Sequence, residues 1–291
     1  MNRRRLLLTS AALPFITTLS SCAPLSIDTT SAQAQLAGLE KALDGRLGVF
    51  AWDSTKNVVL AHRATERFPV NSTFKALLAG QALALDAHPP GLMNKYLAVS
   101  AGDIIKHAPV TEKFVGRNMT VAQLCQATVE TSDNPAANIL MRELGGPESL
   151  TSFMRSIGDN TFRLDRYEPE LNTAIPGDLR DTSTPEAMVR SLHTLTLGGG
   201  LRPPQREQLR NWLLGTVTGS RRIQAGVPPG WRVAGKTGSG AYGAAHDLGL
   251  IWPPDRPPIV LAIYSHLNEP NAAWREEIIA AAARIVSAWV A

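Results

Sequence analysis

Ser72 and Lys75 stand three residues apart at the head of an apolar run, Ala76 to Leu83, made largely of strong helix formers. On a helix this spacing puts both side chains on one face, so a hydroxyl and an ammonium become neighbours at a positively polarised helix end. A serine hydroxyl is a weak nucleophile, and an adjacent amine with helix-terminus N–H groups is one way to activate it. The spacing alone is a weak signal because chance supplies it often. Three other short stretches carry groups suited to proton transfer or to holding a polar ligand. Ser132-Asp133-Asn134 precedes Pro135 and, taken alone, is a turn and helix N-cap. Lys236-Thr237-Gly238 ends a strand-like run, and Glu168 and Asn172 lie in a polar loop, Arg163 to Asn172, where a lone carboxylate is ordinarily solvated.

The elements that must position these residues follow from hydrophobic periodicity. Leu36, Leu39 and Leu43 predict an amphipathic helix over 31–44, stopped by Gly45. Residues 47–52 and 58–61 read as a hairpin, and three short apolar runs at 231–235, 246–252 and 258–264 as further strands. Between them, helices are predicted at 72–86, 120–130, 135–145, 147–156, 185–196 and 204–214, and a last helix at 272–290. Strands at both ends with helices between predict an α/β fold of the α+β type. An antiparallel sheet of about five strands is built from both termini and flanked by the terminal helices, with an all-α domain inserted. The expected division is 22–66 plus 218–291 for the α/β domain and 67–217 for the helical one, which holds Ser72 and the Glu168 loop.

At 291 residues, 44% hydrophobic and 19% charged, the composition is that of an ordinary globular protein. The formal net charge is +4, three of it from Arg3, Arg4 and Arg5, so no basic block argues for nucleic acid. Residues 1–21 read as an export signal, a basic start followed by an interrupted apolar run too short to span a membrane. The arginines also resemble a twin-arginine signal, although ordinary export accepts them as well. Leu19-Ser20-Ser21-Cys22 resembles a bacterial lipobox, which would lipidate Cys22 and tether the protein to a membrane on the periplasmic side. Ala32-Gln33-Ala34 is a competing cleavage pattern that would release a soluble protein. If Cys22 is lipidated or removed, Cys125 has no disulfide partner and behaves as a small hydrophobe. The six histidines contain no i,i+4 pair, so no metal or other cofactor is expected. Nothing in the sequence argues for an oligomer, and a monomer is expected.

Order and spacing change the weight of the motifs. S-x-x-K opening a helix, S-D-N on a helix–helix loop and K-T-G on a late strand form the signature set of class A β-lactamases and penicillin-binding proteins. The whole mature chain resembles a class A serine β-lactamase, and Arg163 to Asn172 resembles that family's omega loop. The resemblance implies that Ser72 is the nucleophile, with Lys75, or Glu168 through water, as acylation base. Ser132 would relay a proton to the leaving nitrogen beside Lys236, and Glu168 with Asn172 would hold the deacylating water. The N–H groups of Ser72 and Ser239 would form the oxyanion hole. Thr237, Ser239 and Arg222 would bind the substrate carboxylate, Asn134 the side-chain amide, and His107 would line the rim. Arg166 and Asp181 would close the loop as an ion pair, the Glu168-Pro169 bond is a candidate for the cis form, and Asp133 and Asn138 would be structural. Residue 71 is Asn, and neither cysteine can form the active-site disulfide of several carbapenem-hydrolysing relatives. Ala241 replaces an Asp usual in the cefotaxime-hydrolysing branch. Penicillins and early cephalosporins are the implied substrates, with weaker support for oxyimino-cephalosporins. The same motifs leave two alternatives, a penicillin-binding D,D-carboxypeptidase and a non-hydrolytic β-lactam receptor; Glu168 and Asn172 weigh against both.

Overall fold

The two ends of the chain build one sheet. In order, the elements are α1 (Thr29–Glu40), β1 (Gly45–Asp53), β2 (Val58–His62), β3 (Phe68–Pro69), α2 (Phe74–Asp86), β4 (Tyr96–Val99) and β5 (Arg117–Thr120). Then come α3 (Val121–Glu130), α4 (Asn134–Glu143), α5 (Gly146–Ser156), β6 (Thr182–Ser183), α6 (Pro185–Thr196), α7 (Pro203–Leu214) and the short α8 (Ile223–Gly226). The chain closes with β7 (Arg232–Ser239), β8 (Ala245–Trp252), β9 (Ile259–Leu267) and α9 (Glu276–Val290). This computed structural model describes residues 27–87 and 90–290; residues 1–21 and Cys22, which carry the export and lipidation expectations, lie outside them. Among the described residues no helix is long and apolar enough to cross a membrane.

The sheet order is β2-β1-β9-β8-β7, antiparallel throughout. Successive side chains point to opposite faces, and the apolar residues divide accordingly. Phe50, Leu248, Leu250, Ala262 and Tyr264 face the helical half and share its core. Leu47, Val49, Leu261 and Ile263 face the layer formed by α1 and α9. Both faces are covered, which is why β9 is buried from end to end.

Helix α2 runs through the middle of the helical half, and every residue from Phe74 to Leu83 is buried. This accounts for a run that is apolar nearly all round. The exceptions are Lys75 and Gln81, both buried with the rest. Asp133 caps α4, accepting from Ala136 N at 2.9 Å. The same carboxylate accepts from Val110 N, Thr111 N and Thr111 Oγ1, which ties the Ser132 turn to the preceding loop.

Several boundaries differ from those the sequence predicts. The first helix stops at Glu40 rather than residue 44, and the last begins at Glu276 rather than residue 272. The segment before α9 is instead occupied with the site: Pro270 O accepts from Tyr242 N, and Trp274 Nε1 donates to Gly240 O at 2.9 Å. The strand predicted to end at residue 235 continues to Ser239, where its pairing with β8 ends, so Lys236-Thr237-Gly238 closes β7 as the sequence reading placed it. Two ribbons, β3 with β6 and β4 with β5, escape the sequence reading because strands of two to four residues are too short to show a period.

Candidate active site

Ser72 lies on a single 3₁₀ turn, Asn71–Thr73, that feeds directly into α2. Its Oγ donates to Glu168 Oε1 at 3.2 Å. Lys75 Nζ reaches the same oxygen at 3.0 Å and also donates to Ser132 O at 2.8 Å and Asn134 Oδ1 at 2.5 Å. An ammonium has three protons, and these three contacts use them. A longer approach, 3.4 Å, joins Lys75 Nζ to Ser132 Oγ, which also accepts from Lys236 Nζ at 3.0 Å. Burial pushes the Lys75 amine below its ordinary range, while the charges of Glu168 and Asp133 act in the opposite sense. Lys236 is pushed down further, first by burial and then by repulsion from Lys75.

Glu168 reaches Ser72 from a separate loop whose shape is fixed at several points. Asn138 grips its backbone in both directions, Glu168 N donating to Asn138 Oδ1 at 2.9 Å and Asn138 Nδ2 to Glu168 O at 2.8 Å. Asn172 Nδ2 donates to Glu168 Oε2, and Asn71 Nδ2 donates to Asn172 Oδ1 at 3.0 Å. The Glu168-Pro169 peptide bond is cis. The loop is closed at its base by Arg166 Nε on Asp181 Oδ2 at 2.6 Å, with Asp181 Oδ1 accepting from Asp165 N and Arg166 N.

The geometry agrees with comparison to known proteins. The profile of the β-lactamase enzyme family matches residues 31–290. A carbapenem-hydrolysing β-lactamase KPC of Klebsiella oxytoca is 49% identical over 250 residues, covering 86% of this chain and 85% of its own. β-Lactamase CTX-M-8 of Citrobacter amalonaticus is 46% identical over 285 residues, covering 98% and 97%. The crystal structure of a β-lactamase from Desulfarculus baarsii superposes with a TM-score of 0.90 at 51% identity, covering 91% of this chain and 99% of that one. The chain belongs to the class A serine β-lactamases.

In this β-lactamase the remaining residues singled out from sequence fall around β7 and the facing loop. Thr237 Oγ1 shares a 2.6 Å hydrogen bond with Thr218 Oγ1, and Ser239 Oγ accepts from Arg222 Nη2 at 2.6 Å. Arg222 is buried behind the strand. Its other N–H groups donate to Gly238 O and His246 O, both at 2.7 Å, and to Glu276 at 3.1 Å. The guanidinium thus meets the cleft through Ser239. On the opposite wall Asn134 Nδ2 donates to Lys106 O at 3.0 Å, and the exposed ring of His107 bonds Thr131 O at 2.9 Å, beside Ser132. Gly238 must be small, since a Cβ there would lie 3.2 Å from Ser72 N. Among the described residues no cluster of His, Cys, Asp and Glu is suited to a metal ion.

Four contributors escape the sequence reading: Thr218 on Thr237, Glu276 on Arg222, Trp274 on Gly240, and Asn71 as the link to Asn172. None belongs to a local motif, and each partner is remote in sequence. Asn71 alone carried a signal, its place beside Ser72.

Proposed function

We propose that the protein hydrolyses the β-lactam amide of penicillins and cephalosporins through an ester on Ser72, with Glu168 as the base that releases the product. The observation that carries this is the convergence of Ser72 Oγ and Lys75 Nζ on one oxygen of Glu168, from two separate elements. The Ser72 proton can pass to Lys75, whose amine burial pushes below its ordinary range, or to Glu168, and both groups lie within reach. The N–H groups of Ser72 and Ser239 are assigned to the oxyanion, an interaction commonly worth about 3–4 kcal/mol per donor. With Lys236 donating to its oxygen, the Ser132 hydroxyl can direct its own proton to the departing lactam nitrogen. Thr237 and Ser239 hold the substrate carboxylate, Arg222 orients Ser239, Asn134 takes the side-chain amide and His107 lines the rim. Glu168 and Asn172 then direct water at the ester.

Sustained nitrocefin turnover by the purified mature domain, with no persistent adduct in its intact mass, is the expected result. A single burst with a lasting adduct would instead establish the receptor alternative, and turnover of D-Ala-D-Ala peptides without nitrocefin hydrolysis the carboxypeptidase. Benzylpenicillin should be hydrolysed faster than imipenem. The active-site disulfide route is closed here, since the one cysteine described, Cys125, is buried in α3. A rate order reversed between these two drugs would reject this spectrum. The export signal supports a periplasmic enzyme and the lipobox anchoring through Cys22, which the mass of the mature N-terminus tests.

A further inference from the structure

A row of three residues crosses the sheet beneath Ser72. Gly238 on β7 pairs with His246 on β8, which pairs in turn with Tyr264 on β9. Paired residues share a face, with Cβ atoms roughly 5 Å apart. At one end of the row, a Cβ on Gly238 would lie 3.2 Å from Asn71 Cβ, Ser72 N and Thr73 N. At the other, the Tyr264 hydroxyl shares a 2.8 Å hydrogen bond with Thr73 Oγ1. His246 therefore sits under the turn that carries the nucleophile. It is wholly buried, its ring stacked on Tyr264 with centroids 4.4 Å apart and planes at 28°.

Neither ring nitrogen of His246 makes a well-formed hydrogen bond among the described residues, the Ala245 backbone giving one at most a weak contact, and Asn71 Oδ1 in the same layer has no partner either. A buried polar atom without a partner costs about 1–3 kcal/mol, so three of them under one turn call for an account. Their chemistry is complementary. A neutral imidazole has one N–H to give, and a carboxamide oxygen can only accept. One buried water that accepts from the His246 N–H and donates to Asn71 Oδ1 satisfies these two atoms, and leaves the second ring nitrogen, an acceptor in the neutral form, as the one unpaired group.

The other end of Asn71 gives this bridge its consequence. Asn71 Nδ2 donates to Asn172 Oδ1, and Asn172 Nδ2 donates to Glu168 Oε2, so every donor in the series points the same way. We propose that His246 heads a hydrogen-bonded relay, through one buried water, Asn71 and Asn172, that positions Glu168 for deacylation. His246 touches no reacting atom and is a positioning residue. Bonds aligned head to tail polarise one another, and here the series ends on a carboxylate oxygen. Asn71 has φ +40°, an uncommon backbone for a non-glycine residue, so its carboxamide gains from being held at both ends. Burial keeps the imidazole neutral, pushing it well below its ordinary range, and His266 and Arg222 oppose its protonation further.

The inference rests on Glu168 as the deacylating base. Its test is His246→Phe, which keeps a ring to stack on Tyr264 and removes both nitrogens. Acylation and deacylation are measured separately by stopped flow, alongside intact mass under turnover. Deacylation is expected to fall about tenfold while acylation stays within about threefold, the loss of roughly one well-made hydrogen bond, so that the acyl-enzyme accumulates. His246→Gln, which restores a donor, should recover most of the loss. Equal losses in both steps, or no loss in either, would overturn the relay. If the Phe variant does not fold, a crystal structure of the unsubstituted enzyme decides, a water bonded to both His246 and Asn71 Oδ1 being expected and a dry layer overturning the proposal. Persistent deacylation in Glu168→Ala would instead remove the base itself, a failure distinct from that of the relay.

Discussion

Replacing Glu168 by Ala should leave an enzyme that opens the first ring it meets and then stalls. The carboxylate is buried and reached by Ser72, Lys75 and Asn172. Deleting it removes the base for the attacking water, so turnover should fall by about 10²–10⁴, the usual contribution of a positioned base. Acylation should suffer less, for a reason visible in the same contacts. Without the Glu168 charge nothing close offsets the burial of Lys75 except Asp133, the amine falls further below its ordinary range, and its neutral form can take the Ser72 proton. Intact mass after mixing with benzylpenicillin should show one stable adduct, and Glu168→Gln should show the same. Unchanged turnover in Glu168→Ala would remove Glu168 from the reaction.

The second large effect is expected at Asp181, which touches no substrate. It is fully buried, and its two oxygens receive two backbone N–H groups and the Arg166 side chain at the base of the Glu168 loop. Asp181→Ala strands a largely buried guanidinium as well as those N–H groups, a loss of about 3–5 kcal/mol. In a domain of this size that lowers Tm by on the order of 10 °C. The kinetic damage should be selective. Glu168 and Asn172 ride on the loop, whereas Ser72, Ser132 and Lys236 belong to other elements, so deacylation should slow more than acylation. A variant with unaltered Tm and an unaltered ratio of the two steps would show that the ion pair does not hold the loop.

The legible part of the site is the part encoded locally. Ser72 with Lys75, Ser132 with Asn134, and Lys236 with Thr237 are neighbours in sequence, and a helix start, a turn or a strand then suffices to aim each pair. The strand pattern at the two ends was readable for a related reason: β1, β8 and β9 are long enough for their apolar runs to stand out. The remainder depends on pairs that tertiary structure alone makes adjacent. Arg222 stands out in the sequence only through the family resemblance, and its surroundings come from β8 and α9, which supply His246 O and Glu276. Trp274 falls within a stretch that could pass for a helix start, and only its bond to Gly240 O shows why the helix begins later. The role of His246 lies in the pairing of β7, β8 and β9, which no single stretch of chain contains.

Sheet order has a consequence for how the molecule comes into being. Strand β1, made early, takes as its long partner β9, made almost last, with Gly45 opposite Leu267. Until the ribosome has nearly finished, the first hairpin has one edge with nothing to pair with and one face with no α9 to cover it. Closing so large a loop is entropically slow, and folds dominated by such distant pairings assemble late. A nascent chain of this topology stays open to chaperones through most of its synthesis.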